Sequence, residues 1–185
     1  MYIVREVPVQ IPAVATHNMK KHARGFTLIE LLLYVASLSV LILFLSYMWY
    51  ALIAARVKNQ TIAEVERQGA EAMALISQSV RNATAITSPA IGSSSASLTL
   101  SMAAPAVNPT VFSLAGGAIQ MKEGSGSAVI LTSPRLNLTA LTFTNVSAAT
   151  TPGVIRTQAT ISQVNPSGAN EYSYTQTFYE STSIR

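Results

Sequence analysis

The chain has 185 residues, 49% of them apolar and only 11% charged, with a net charge of +4 and no cysteine. That composition excludes an intrinsically disordered chain and is charge-poor for a water-soluble domain, so part of it is expected in lipid. Lack of cysteine excludes a disulfide framework, a thiolate metal site and a thiol nucleophile; all eight acids are Glu, and both histidines, His17 and His22, precede residue 25. Few groups remain for hydrolytic chemistry, and the chain reads as a non-enzyme with no catalytic residues, no cofactor and no metal site.

Residues 1–25 carry Arg5, Lys20, Lys21 and Arg24 against Glu6, a net +3, whereas residues 26–185 carry a net +1. The basic pI therefore belongs largely to the leader. The bases beyond it are scattered and form no stripe, so direct nucleic-acid binding is not expected.

Residues 31–55 follow, with no charged side chain in 25 positions. At about 1.5 Å per residue a helix of that length reaches about 37 Å, enough for a hydrocarbon core of about 30 Å. Tyr47, Trp49 and Tyr50 fall near its far end, where amphipathic rings prefer the headgroup level. A secretory apolar region is only about 7–15 residues long, so this run predicts a membrane-spanning segment. Lys20, Lys21 and Arg24 before the span, against Arg56 and Lys58 after it, favour a cytoplasmic N-terminus with the remainder outside the inner membrane.

The helical pattern continues past the apolar run. Ile62, Val65, Gly69, Met73, Ile76, Val80 and Ala83 recur at spacings of three and four, with Arg67, Glu71 and Gln78 between them, which marks an amphipathic helix. No proline stands between Pro12 and Pro89, and Ser88 is biased out of helix by Pro89. One helix from about Phe26 to about Ile86 is expected, about 90 Å long. Two helices hinged near residues 54–58 are the alternative.

From Ser97 the period becomes two. Leu98, Leu100 and Met102 alternate with Ser and Thr, as do Leu136 and Leu138 with Asn and Thr; Ile155, Ala159 and Ile161 share one parity, and Tyr172, Tyr174 and Phe178 another. The alternation slips between Leu138 and Leu141, predicting a bulge or a break near Ala140. Gly116-Gly117 reads as a hairpin turn, and 124–126, 133–134, 151–153 and 165–168 as further turns. A two-periodic antiparallel sheet needs one covered face, and the amphipathic half of the helix is the nearest cover. The fold class is α+β: residues 26–55 the transmembrane half of the helix, 56–88 its amphipathic half, and 89–185 a β-rich globular domain packed on its outer half. Asn59, Asn82, Asn137 and Asn145 match the glycosylation acceptor pattern, which a chain this rich in Ser and Thr produces by chance.

Directly before the span stands Lys20-Lys21-His22-Ala23-Arg24-Gly25, then Phe26-Thr27-Leu28-Ile29-Glu30. An acid inside the start of a spanning helix needs a reason, since an ionised acid at the bilayer centre costs about 2.5–3.5 kcal/mol on insertion scales. Basic leader, Gly25-Phe26-Thr27-Leu28-Ile29-Glu30 and a long apolar helix together resemble the prepilin signal shared by type IV pilins and type II secretion pseudopilins. The resemblance implies a pilin-like lollipop cut by the prepilin peptidase between Gly25 and Phe26. It implies N-methylation of Phe26 by the same enzyme, Lys20, Lys21 and Arg24 as the basic residues of the leader, and Glu30 as the carboxylate that acts in assembly with other pilin or pseudopilin subunits. The leader is then 1–25, and translation is expected to begin at Met19, or residues 1–18 to be dispensable.

The family's major pilins commonly have a kinking proline where this chain has Tyr47, and a C-terminal disulfide loop. Its major pseudopilins commonly bind calcium through aspartates, which are absent here. The implied function is therefore that of a minor structural subunit of a type IV pilus or related filament, resident in the inner membrane before assembly. A minor pseudopilin of a type II secretion system is one alternative. A pilus-displayed adhesion or DNA-uptake module is another, for which Tyr172, Tyr174 and Phe178 would have to face a ligand; their alternation instead predicts a buried parity.

Overall fold

The computed structural model describes residues 25–149 and 151–185. Among the described residues one α-helix, α1 (Leu28–Asn82), is followed by nine strands in two antiparallel sheets, so the fold is α+β. The chain divides within α1 into two compact units, residues 1–45 and 46–185. In the first, every described side chain is exposed. By length and composition α1 can cross a membrane, with a mean hydropathy of 2.6 over its most apolar window. The hydroxyls of Ser37 and Ser39 donate to the carbonyls of Leu33 and Val35 at 2.7 and 2.8 Å, which answers polar groups inside an apolar run without a partner from elsewhere.

In the second unit α1 turns amphipathic, burying Thr61, Val65, Gly69, Ala72, Met73, Ile76, Ser77 and Val80. Ile62, expected on this face, is only half-buried. The helix ends at Asn82, not near Ile86, and Ala83–Ser88 form strand β1, which corrects the expected helical span of 56–88. Ala83 is buried on either reading, so spacing could not locate the boundary. The β-branched Thr84, Ile86 and Thr87 suit a pleated strand. The Thr84 and Thr87 hydroxyls meet the Ser101 carbonyl and hydroxyl at 3.0 Å across the pairing with the next strand of the sheet.

The expected single sheet is two. Strands β2 (Ser94–Ser95), β3 (Ser97–Met102), β4 (Thr110–Ala115), β5 (Ala118–Glu123) and β6 (Val129–Ile130) are followed by β7 (Leu136–Asn145), β8 (Val154–Gln163) and β9 (Thr175–Ser183). Their orders are β1-β3-β4-β5-β6 and β2-β7-β8-β9. The chain changes sheet across Ala96, where the Ser97 N–H donates to the Ser95 hydroxyl at 3.1 Å. The β4–β5 hairpin closes on Gly116 and Gly117 at φ 59° and 74°, the doubly left-handed pair that suits a tight two-residue turn. The β7–β8 register shifts between Leu138 and Ala140, where the alternation slipped, so Leu136, Leu138, Leu141 and Phe143 are all buried.

Helix and both sheets share one core, in which Val65, Ile76 and Val80 meet Leu98, Phe112 and Ile119 of one sheet and Phe143, Ile155 and Ile161 of the other. Each large side chain so buried stabilises by about 1.5–3 kcal/mol, more than propensity supplies to a helical turn. Gly69 gives the Phe178 ring room to lie against the helix, since a Cβ there would overlap it. The buried hydroxyls of Ser77 and Thr182 bond at 2.7 Å, joining α1 to β9. Lys58 Nζ donates to the carbonyls of Asn170 and Ser173, tying the helix to the turn before β9.

Candidate functional site

The sequence places its most specific residues at the start of α1, all in the first unit. Gly25, Phe26 and Thr27 precede the helix. Thr27 caps it: the Glu30 N–H donates to Thr27 Oγ1 at 3.3 Å and the Leu31 N–H to the Thr27 carbonyl at 3.1 Å. With Thr27 at the N-cap and Glu30 three positions on, this is the residue order of a capping box. Glu30 is the acid of the first turn, where the partial positive end of the helix dipole favours an anion.

One turn further, the Tyr34 hydroxyl donates to Glu30 Oε1 at 3.4 Å. The Tyr34 ring also meets Phe26 edge to face, with centroids 6.0 Å apart and planes at 73°. Phe26, Glu30 and Tyr34 thus gather on one face of the helix start. Phe26 is 73% exposed, and Glu30 is exposed as well, so the carboxylate is accessible to an outside cation. A Cβ on Gly25 would meet nothing within 4 Å, so no packing within the described chain demands glycine there. Lys20, Lys21, Arg24 and Met19 lie outside the described residues.

Thr27 and Tyr34 carry roles that the reading of the sequence did not assign. The signals were legible: Thr-x-x-Glu at a helix start is a cap pattern, and a tyrosine four residues after a glutamate shares its face.

The three aromatics considered as ligand-facing do not form a platform. Tyr172 is not in a strand but in the 3₁₀ turn Asn170–Tyr172, and is 38% exposed. That corrects its expected buried parity. Tyr174 precedes β9 and donates to Glu66 Oε1 at 3.2 Å, and burial together with the Glu66 carboxylate raises its pKa. Phe178 packs on Gly69.

On the helix surface Arg67 bridges Glu64 and Glu71 at 3.0 and 2.8 Å. The Arg67 guanidinium, helped by the Gln68 amide, holds the Glu64 carboxyl below the usual carboxylate range. Gln68 also accepts the Ser133 N–H at 2.8 Å. Of the four glycosylation-like asparagines, Asn145 is 3% exposed. Its amide donates to the Pro89 carbonyl at 2.8 Å and accepts the Ser147 N–H at 3.1 Å, so it is a structural residue. Among the described residues no three His, Asp or Glu side chains come together as a metal cluster.

No protein-family model matches the chain, and neither a curated protein nor a solved structure matches it.

Proposed function

We propose that the chain is a prepilin-type precursor and that its mature form is a minor structural subunit of a type IV pilus or related filament. The prepilin peptidase cuts after Gly25 and methylates Phe26, and the subunit enters the filament from the inner membrane. The observation that carries this reading is Gly25-Phe26-Thr27-Leu28-Ile29-Glu30 standing between a basic leader and the charge-free run of residues 31–55. The exposed Gly25–Phe26 junction just ahead of a capped helix supports it, because a protease needs accessible backbone outside a helix at the bond it cuts.

Cleavage there creates a cationic α-amine beside a carboxylate at membrane depth. An unpaired charge is disfavoured in lipid, and a paired one is tolerated and can fix register. Glu30 therefore answers the Phe26 amine of an adjacent subunit. The experiment is a deletion strain scored for surface pili, secreted protein and DNA uptake. Loss of pili with secretion intact is expected. Loss of secretion alone would make the chain a minor pseudopilin, and loss of DNA uptake with normal piliation would make it an uptake module.

A further inference from the structure

The β-rich unit carries its own part of the charge-free run, residues 46–55, which continues along α1 into the stretch that the sheets cover. The 25 positions of the whole run, 31–55, match a membrane in two steps. About 20 residues, or 30 Å, cross the hydrocarbon core, and the remainder, about 7 Å, crosses one headgroup layer. Tyr47, Trp49 and Tyr50, all exposed, stand where the first step ends. Arg56 and Lys58 then fall at the outer surface of the headgroups, Lys58 about 4.5 Å along the axis from Ala55.

Lys58 fixes what meets that surface. Its Nζ donates to the carbonyls of Asn170 and Ser173, and the Cα–Cβ bond of a helical residue tilts toward the helix N-terminus, here the membrane side. The 3₁₀ turn Asn170–Tyr172 is thereby held near the level of residue 58. Arg135 and Tyr172 line one recess with Val57 and Gln60 of α1, which places both beside the same turns of helix. The Arg135 carbonyl accepts the Val164 N–H at 2.8 Å, tying its turn to the end of β8.

The charges of this near end suit a phosphate surface. Arg56 and Arg135 are exposed, and among the described residues neither makes an ion pair. Glu64, the acid of the recess, is bridged by Arg67. Lys58 is occupied by its two carbonyls, and Glu171, half-buried, is the one acid in the segment 165–173. Tyr172 is exposed and offers an amphipathic ring of the kind that prefers headgroup depth. We propose, on the membrane-spanning reading of residues 31–55 alone, that the near end of the β-rich unit docks on anionic phospholipid, with Arg56 and Arg135 on headgroup phosphates and the Tyr172 ring in the headgroup layer.

The test places single copies of the full chain in lipid nanodiscs, which excludes contact between copies. Trp49 is the only tryptophan, so its quenching by lipid brominated on the acyl chain reports the span in the wild-type protein. Docking is read in a Trp49→Phe background from Tyr172→Trp, quenched by lipid that carries a nitroxide on its headgroup. Tyr179→Trp is the control: Tyr179 is exposed and follows Phe178, which packs on Gly69, about 16 Å farther along the helix than Lys58. In discs containing phosphatidylglycerol the Tyr172→Trp protein should be quenched and the Tyr179→Trp protein spared. Arg135→Gln should lower the docked-to-free ratio about fivefold, the weight of one base near an anionic surface. Arg135→Lys should restore most of it, and discs of phosphatidylcholine alone should show a smaller ratio. Trp49 quenched with the Tyr172→Trp protein spared would overturn the docking and leave the span standing. Equal quenching of the Tyr172→Trp and Tyr179→Trp proteins, or a ratio indifferent to Arg135→Gln, would also overturn it. An unquenched Trp49 would overturn the span and the docking together.

Discussion

Replacing Glu30 by Gln removes a charge while keeping the side chain's shape, and it separates a role within the chain from a role between chains. Within the chain, the carboxylate sits at the third position of α1, where the dipole favours an anion by about 0.3–1 kcal/mol. Its contact with the Tyr34 hydroxyl, at 3.4 Å, adds little. Against these stands the cost of an ionised acid at lipid depth, about 2.5–3.5 kcal/mol at the bilayer centre. The balance favours Gln for insertion, so membrane levels of Glu30→Gln, and its cleavage after Gly25, should equal or exceed wild type. Between subunits the sign reverses. Removing one member of a buried ion pair costs about 3–5 kcal/mol, which at about 1.4 kcal/mol per decade is roughly a hundredfold to a few thousandfold in the assembly equilibrium. The assay is the ratio of this subunit in sheared filaments to that in membranes, for wild type, Glu30→Gln and Glu30→Ala. If both variants enter filaments at the wild-type ratio, Glu30 is an interfacial polar residue and the pairing argument is wrong.

In the β-rich unit, Ser77→Ala should cost about 1–3 kcal/mol because it strands the Thr182 hydroxyl in the core, whereas adding Thr182→Val should recover much of the loss. Denaturant melts of the two single variants and the double variant test this, and simple additivity would refute it. Gly117→Val should destabilise by about 1–2 kcal/mol or more, since the backbone there is left-handed and a Cβ would overlap the Asn137 side chain. Gly116→Asn, in open space, should be tolerated, and equal melting of the two variants would contradict the hairpin argument. Because the folded pKa of Glu64 is lowered, its contribution to stability is present above the unfolded glutamate value and fades as pH falls through the lowered one. Arg67→Met should shift the Glu64 carboxyl titration upward by NMR with little change in stability, since Arg67 is 56% exposed, and an unmoved midpoint would remove Arg67 as the cause.

Much of this arrangement was legible because the signals were periodic or chemically singular. The charge-free run and the three-four spacing through Val80 both fall in α1. The slip after Leu138 marks the observed shift in register, and Gly116-Gly117 the observed hairpin. What escaped was decided by partners far along the chain. Ala83–Ser88 became strand because β3 offered it a ladder, and a position buried under both periods cannot say which applies. Two sheets rather than one depend on the crossing at Ala96, where no local pattern signals a change of layer. Thr61, Thr157 and Thr182 are buried although polar; Thr182 is satisfied by Ser77, 105 residues earlier. Tyr172 kept the parity of a strand yet lies in a turn held by Lys58, a contact that spacing does not encode. At the start of α1 the cleavage-like junction and Glu30 stood out by residue type, and Tyr34 joined them only through geometry.

The most direct test of the account is the intact mass and N-terminal sequence of the protein extracted from membranes of a cell that has its prepilin peptidase. The account predicts a single mature species that begins at Phe26, carries one added methyl group on its amine and lacks everything through Gly25. A mature chain that retains Lys20 and Lys21, or one that begins at any other residue, would contradict it.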